Sequence, residues 1–199
     1  TSRSAELGAT AEELQSLRQL GYAASGLSAS EGALIPEGAV DPKDRVELVR
    51  RHDRAVRLTT AGDAEEAVAL LEQALSVEPE NPALLFQLSQ SLIVAEKIPQ
   101  AAARLRQAVH AAPDYGLAWY RLGQVLGALD DRAGEEDAYR QAIVVDPYNT
   151  APRKALAALL AEQDRTAERI RVLEQALALD PNDAALDAEL ARARRDGGP

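Results

Sequence analysis

Four prolines at a constant spacing of 34 residues constrain this 199-residue chain more than any other feature. Aligning the sequence on them divides it into four units, 48–81, 82–115, 116–149 and 150–183. In every unit the eighth place is small, the eleventh is Leu and the twenty-seventh is Ala. A fixed period of this length is typical of an array in which each unit is one supersecondary element. The four prolines are Pro79, Pro113, Pro147 and Pro181.

Each unit carries two apolar stripes with the period of an α-helix. In the second unit, Leu85, Leu88 and Leu92 form the first stripe, and Ala101 and Leu105 belong to the second. Because a proline inside a helix costs about 3 kcal/mol or more, we expect each proline to end the second helix of its unit. One pair of helices cannot bury its stripes alone, so the units must stack on one another. The sequence therefore predicts an all-α solenoid.

The repeat resembles the tetratricopeptide repeat, in which W-x2-L-G-x2-Y is followed by A-x3-F and then by P. The third unit follows this pattern most literally, with WYRLGQVLGAL from Trp119 to Leu129. The resemblance implies a right-handed α-solenoid of four tandem helix-turn-helix units, within a repeat domain spanning 41–199. Residues 184–195 follow Asp183, a candidate N-cap, and are predicted to form a closing helix. The family's usual role implies a scaffold that binds a peptide or a protein segment.

In that family the second, fifth, ninth and twelfth places of each unit line a concave groove. Rings, amides and a few cations at these places suit the recognition of an extended peptide. The alternative for Phe86 and Tyr120 is packing against a neighbouring helix. The candidate peptide-binding residues are Val49, His52, Val56, Phe86, Gln90, Ile93, Leu117, Tyr120, Gln124 and Lys154, with Arg121 at the groove edge.

Some members of the family hold a partner's C-terminal carboxylate in a clamp of Lys, Asn, Asn, Lys and Arg. Only the last of the matching places in this chain carries the family's residue type, so binding of that kind is disfavoured. The matching places are His52, Val56, Gln87, Leu117 and Arg121.

Several places depart from the family pattern. Arg51 and Arg153 stand where a bulky apolar residue is usual, and Glu135 and Arg169 fill a usually small place on the second helix. We therefore expect looser or rotated packing in the third and fourth units. Because Glu135 and Arg169 occupy equivalent places, their charged heads are predicted to pair across adjacent units.

Residues 1–47 do not follow the period, and 1–40 of these are predicted to be an N-terminal helix and a linker. A capping box at Thr10–Glu13 precedes Leu14, Leu17 and Leu20, which predicts a short helix followed by a Gly/Ser-rich linker. The segment from Glu12 to Tyr22, together with DPKDR, resembles the end of the catalytic domain of bacterial sulfatase-like hydrolases with a tetratricopeptide tail. That resemblance implies a non-catalytic tail for anchoring, oligomerisation or partner recruitment. The alternatives are a helix at 10–20 that caps the first repeat, and a structural role in which the groove is filled by the chain's own linker, residues 22–40, or, through self-association, by a second copy.

Composition excludes several classes of function. A net charge of −10 disfavours nucleic-acid binding, and no apolar run is long enough to insert into a membrane. Without cysteine there is no thiolate metal site or cysteine nucleophile, and His52 and His110 fall in different helices. No catalytic motif can be assembled, so we expect a chain that is not an enzyme and that has no cofactor.

Overall fold

The computed structural model of the protein describes residues 42–197, and this part of the chain contains nine helices and no strand. The predicted helix at 10–20, the linker and the domain boundary at residue 40 lie outside the described residues. Each of the four predicted sequence units, called repeats below, supplies two consecutive helices, and a ninth helix follows the last repeat. In chain order the helices are α1 (Pro42–Ala61), α2 (Ala64–Leu75), α3 (Pro82–Val94), α4 (Ile98–Ala111), α5 (Gly116–Ala128), α6 (Arg132–Val145), α7 (Thr150–Glu162), α8 (Thr166–Leu179) and α9 (Ala184–Asp196).

The helices belong to two compact units of structure. The first unit ends at Ala111 and contains α1–α4, and the second begins at Ala112 and contains α5–α9. Within each unit, the two helices of a repeat pack against each other, and the second helix also packs against the helix that follows it in the chain. In the first unit α1 packs on α3 as well. Each compact unit therefore holds two repeats of the sequence.

The repeated prolines lie where the sequence predicts, in the short connection after each second helix. Pro113 follows α4, which ends at Ala111, and Pro147 follows α6, which ends at Val145. Two residues after three of these prolines, a polar side chain caps the next helix. The cap oxygens accept hydrogen bonds from backbone N–H groups of the first turn, at 3.0–3.1 Å, in Asn81, Asn149 and Asp183.

The turn between the two helices of each repeat has one geometry throughout the described chain. The fifteenth residue of each repeat has a positive φ, between 56° and 94°. The N–H of the next residue donates to the carbonyl of the repeated Leu five residues earlier, at 2.8–3.0 Å. This is the Schellman arrangement that ends many helices. The positive-φ residues are Gly62, Glu96, Asp130 and Asp164.

In the first unit the core is built from the places that repeat in the sequence. The small residues Ala55 and Ser89 are completely buried, as are Leu71 and Leu105, the large residues at the twenty-fourth place of the same repeats. Small side chains on the first helix let the second helix approach closely enough for a leucine to fill the space. The hydroxyls of Thr59 on α1 and Ser91 on α3 also lie 2.7 Å apart.

In the second unit, α9 completes the core. Leu186 and Leu190 are buried and cluster with Leu173 and Ala176 of α8. These are the two apolar residues that the sequence predicts on the inner side of a closing helix. The apolar face of α8 is thereby covered by α9.

In the third repeat the small place of the first helix is smaller than in the other repeats, and the large place of the second helix is larger. Gly123 stands at the small eighth place, and buried Tyr139 replaces the leucine that the other repeats carry at the twenty-fourth place. A Cβ added to Gly123 would lie 2.5 Å from Cδ1 of Tyr139 and closer still to Cε1. The absence of a side chain at residue 123 is thus what makes room for the ring.

The predicted pairing of Glu135 with Arg169 is wrong, because each head finds a nearer partner. Arg132 donates to Glu135 at 3.0 Å within α6, whereas Arg169 donates to Glu189 of α9 at 3.3 Å. Both side chains are nearly buried. Their aliphatic parts therefore lie against the protein while their heads pair locally.

Looser packing, one of the two arrangements expected for the third repeat, is also wrong; a rotated packing, and either arrangement in the fourth repeat, stays a prediction. A Cβ on Gly127 would lie 2.7 Å from Cδ of Glu135, so the carboxylate packs directly on the glycine. In the second repeat the sizes are reversed, with Ile93 and Ala101 at the corresponding places. The larger residue on α6 is compensated by a smaller one on α5, and the helices stay close.

Replacement of Gly123 by alanine tests this close approach. We expect Gly123→Ala to lower the free energy of unfolding by roughly 1 kcal/mol, because overpacking outweighs the better helix propensity of alanine. In a chain that already carries Tyr139→Leu, the same substitution should raise the free energy of unfolding, because the double variant has the alanine–leucine pair found in repeats one and four. Denaturant unfolding of the four chains measures both effects, and an equal effect in the two backgrounds would contradict the packing described.

A glycine at a positive-φ turn position is expected to stabilise the first unit. Non-glycine residues are disfavoured in this left-handed region by about 1–2 kcal/mol, so Glu96→Gly should raise the free energy of unfolding by up to about 1 kcal/mol. The neighbouring Ala95 has a φ of −78° and provides the matched control. Ala95→Gly should destabilise, and thermal unfolding that shows the same sign for both would refute the assignment.

Candidate functional site

The first helix of each repeat carries the candidate binding residues. Each compact unit has its own first-helix face, formed by the candidate residues of its first helices that are not fully buried. On the first unit these are His52, Val56, Phe86, Gln90 and Ile93, and on the second they are Leu117, Tyr120, Arg121, Gln124 and Lys154. The described side chains differ in how far they are available on these faces.

On the first unit's face, the predicted aliphatic and aromatic residues are mostly half-buried. Val56, Phe86 and Ile93 each retain part of their surface. Val49, in contrast, is fully buried, so its side chain belongs to the core rather than to the face. The face is thus an apolar strip with limited exposure.

The two polar candidates on this face, His52 and Gln90, differ in whether they have a partner within the chain. His52 lies half-buried with Nδ1 3.1 Å from Oδ1 of Asp53, its neighbour in α1. The side-chain nitrogen Nε2 of Gln90 is buried and has no hydrogen-bond partner. An amide nitrogen in this state is a donor that gains a bond when an acceptor reaches it.

On the second unit's face, α5 presents the most exposed of the candidate apolar residues. Leu117 exposes 46% of its surface. Tyr120 is half-buried, and its ring centroid lies 5.9 Å from that of Tyr139, with the rings tilted by 40°. The ring of Tyr120 therefore packs against α6, as one of the two alternatives for this residue predicts, and part of the side chain remains exposed on the face.

Three candidate side chains of α5 form a hydrogen-bonded relay. Arg121 Nη1 donates to Oε1 of Gln124 at 2.8 Å, and Gln124 Nε2 donates to the hydroxyl of Tyr120 at 3.0 Å. Because the Tyr120 oxygen accepts this bond, its own hydrogen can point outward as a donor. The Nε of Arg121 is buried and has no partner. The relay fixes the orientation of polar groups beside Leu117.

Lys154 on α7 is engaged by the closing helix. Its Nζ lies 2.5 Å from Oδ2 of Asp183, whose other carboxylate oxygen caps α9. The hydrogen bond from Lys154, and next the backbone bond from Leu186, lowers the pKa of the Asp183 carboxyl. Lys154 therefore ties α7 to the start of α9.

A charged network on the second helices of the second unit was missed from the sequence. Arg165 donates to Glu136 at 2.6 Å and to Glu168 at 2.7 Å, and Arg140 donates to Glu136 at 2.6 Å. The hydrogen bond from Arg165 is the main cause that lowers the pKa of both carboxyl groups. No spacing within one repeat reveals this network, because its members come from two repeats.

Within 42–197, no group of three or more His, Asp or Glu side chains is placed to hold a metal ion. None of the helices in this range is both long and apolar enough to cross a bilayer.

Two family models match the chain, and both carry the description tetratricopeptide repeat. The first matches residues 58–126 and the second matches residues 117–149. Among curated proteins, none matches the sequence. The matches bring no sulfatase-like relative, so the second resemblance gains no support.

Solved structures show the same fold. A crystal structure of MamA protein has a TM-score of 0.69 and 18% identity, covering 76% of this chain and 82% of that one. MamA from residue 41 onward of Desulfovibrio magneticus RS-1 has a TM-score of 0.65 and 19% identity, covering 75% and 86%. YrrB, a TPR protein with an unusual peptide-binding site, has a TM-score of 0.63 and 18% identity, covering 80% and 78%. The predicted all-α repeat fold is confirmed.

The pKa of Asp183 provides a test of how Lys154 is used. Since the pKa is lowered on folding, the stabilisation from this carboxylate is present above its unfolded value of about 3.9 and is lost as the pH falls through the folded pKa. Lys154→Gln should move the Asp183 titration midpoint upward in a carboxyl-detected NMR titration, whereas Lys154→Arg should keep it low. A midpoint unchanged by Lys154→Gln would show that the helix cap alone sets it.

Proposed function

Because the chain is a tetratricopeptide-repeat protein, and so a protein–protein interaction module, we propose that it binds an extended peptide or a segment of a partner protein on its first-helix faces. The proposed contacts on the first unit are Phe86, Gln90 and Ile93, with His52 and Val56 beside them. The proposed contacts on the second unit are Leu117, Tyr120, Arg121 and Gln124, with Lys154 at the side.

The observation that carries the proposal is the arrangement on α5. Leu117 offers exposed apolar area, and the relay from Arg121 through Gln124 to Tyr120 holds polar groups in place next to it. An apolar anchor with oriented hydrogen-bonding groups is the combination that fixes a peptide backbone while its side chain is buried. Pre-ordered groups also reduce the entropy lost when a ligand binds.

Unsatisfied polar atoms give the proposal a second support. Nε2 of Gln90 in the first unit and Nε of Arg121 in the second are buried without partners. A side-chain rotation that brings either group to an acceptor on a bound peptide would recover a hydrogen bond. Peptide carbonyls are such acceptors, and they occur in every sequence.

The proposed role is non-catalytic. The carboxylates that could act as an acid and base pair are engaged with arginines, as Glu136 and Glu168 are with Arg165. The pKa values of both are lowered, which suits a permanent charge rather than proton transfer. YrrB, of similar fold, is a TPR protein with a peptide-binding site, which is consistent with binding rather than chemistry for this chain.

Peptides selected against the full chain from a random library test the proposal. We expect Phe86→Ala and Leu117→Ala to weaken binding of the selected peptides by about tenfold or more, equivalent to about 1.4 kcal/mol for each truncated anchor. Tyr120→Phe, which removes only the hydroxyl of the relay, should weaken binding less. Isothermal titration calorimetry measures the affinities.

Two exposed valines provide matched controls for these variants. Val77 and Val94 expose 41% and 47% of their surfaces and are not candidate contacts. Their replacement by alanine should leave the affinity unchanged. The proposal fails if the selected peptides bind all three contact variants as tightly as the parent chain, or if the valine controls weaken binding as much.

A further inference from the structure

A second surface in the second unit lies among α6, α7 and α8, and its lining includes none of the candidate binding residues. It is an open cavity of about 460 Å³, within the range of about 300–1,000 Å³ found for ligand sites. Leu156 and Leu160 of α7, both buried, form its floor. Ile143 and Val144 of α6 and Val172 of α8 form its walls.

The apolar wall extends onto the protein surface. Val144 is 72% exposed, and Tyr148 in the following connection is 82% exposed. The places that correspond to Val144 in the other repeats hold Ser76, His110 and Ala178. An exposed branched aliphatic side chain at this place is therefore peculiar to the third repeat, and it adjoins the cavity.

In the first unit, an ion pair lies at the corresponding position between the two second helices. Arg104 on α4 lies there 3.9 Å from Glu72 on α2. The residue equivalent to Arg104 in the fourth repeat is Val172. The place of Arg104 is thus taken by an aliphatic residue in the second unit, while the place of Glu72 is taken by Arg140. Apolar surface and an arginine therefore lie side by side where the first unit has an ion pair.

Charges at the cavity mouth favour one sign of ligand. Arg140 and Glu168 belong to the network with Arg165 and Glu136, in which each carboxylate is already engaged by an arginine. Arg171 also lines the cavity and interacts electrostatically with Glu168, but no salt bridge within 4.0 Å joins Arg171 to an acidic side chain of residues 42–197. The lining itself carries two arginines, Arg140 and Arg171, and one glutamate, Glu168, which gives a local excess of positive charge on a chain whose net charge is −10.

We propose that this cavity is a docking site for a segment of a partner protein that carries an aliphatic side chain next to a carboxylate. The aliphatic group enters between Val144 and Val172 and covers the exposed valine. The carboxylate pairs with Arg171. The site is separate from the first-helix faces, so it adds a second surface to the proposed interaction module.

The experiment follows backbone amide signals of the isotope-labelled full chain during NMR titration with a blocked Leu-Glu-Glu-Leu peptide. We expect saturable shifts centred on Ile143, Val144 and Val172. Val144→Glu should weaken binding at least tenfold, and Arg171→Glu at least threefold. A blocked Leu-Lys-Lys-Leu peptide and a blocked Ser-Glu-Glu-Ser peptide should each bind at least threefold more weakly to the parent chain.

Matched variants keep the test specific. Val94→Glu changes a similarly exposed valine in the first unit, and Arg195→Glu changes an exposed arginine on α9; neither should alter the binding. Circular dichroism of each variant checks that the helical fold is retained. Leu117→Ala should also leave this peptide's affinity unchanged, which separates the site from the first-helix face.

Three results would overturn the proposal. The first is the absence of saturable shifts at the cavity, and the second is equal binding of the acidic and basic peptides. The third is concentration-dependent self-association of the chain that Val144→Glu abolishes, because the occupant would then be a second copy. None of these results bears on peptide binding by Phe86 or Leu117, so the two proposals fail independently.

Discussion

The turn inside each repeat is the constraint on which the remaining packing depends. Its positive-φ residue and the bond from the following N–H to the repeated leucine carbonyl recur with nearly constant geometry. This bond fixes where the second helix leaves the first, and so which places of the two helices face each other. The small eighth place and the large twenty-fourth place meet because the turn has no freedom to bring others together.

The sequence predicts those parts of the fold that depend on places where every repeat has the same type of residue. The prolines, the leucine at the eleventh place and the small residues occupy such places, and they predict the helix pairs and where these pairs end. The closing helix is predicted separately, from the N-cap Asp183. The turn residue is not of one type, because Gly62, Glu96, Asp130 and Asp164 share only a backbone conformation. Three of the four are not glycine, although a positive φ is unfavourable for such residues. The amino acid at this place therefore does not indicate the conformation of the turn.

Side-chain partners were predicted less well, for a related reason. Glu135 and Arg169 occupy equivalent places, but a salt bridge depends on which heads come within reach, and Arg132 and Glu189 are nearer. The candidate binding residues were likewise read from their places in the repeat. The structure separates buried Val49 from exposed Leu117, although the two occupy the same place in different repeats. Burial depends on what lies over a helix, and the repeat pattern does not record it.

The reciprocal sizes on paired helices bear on how such a chain can be altered by recombination. Gly127 lies against Glu135, whereas the second repeat carries Ile93 and Ala101 at those places. An exchange of whole helix pairs would keep each small residue with its large partner. A crossover inside a turn would set Ile93 against Glu135 in one product and leave Gly127 opposite Ala101 in the other. The smallest segment that recombination can exchange without disturbing this packing is therefore a whole helix pair, cut in the connections that contain the prolines.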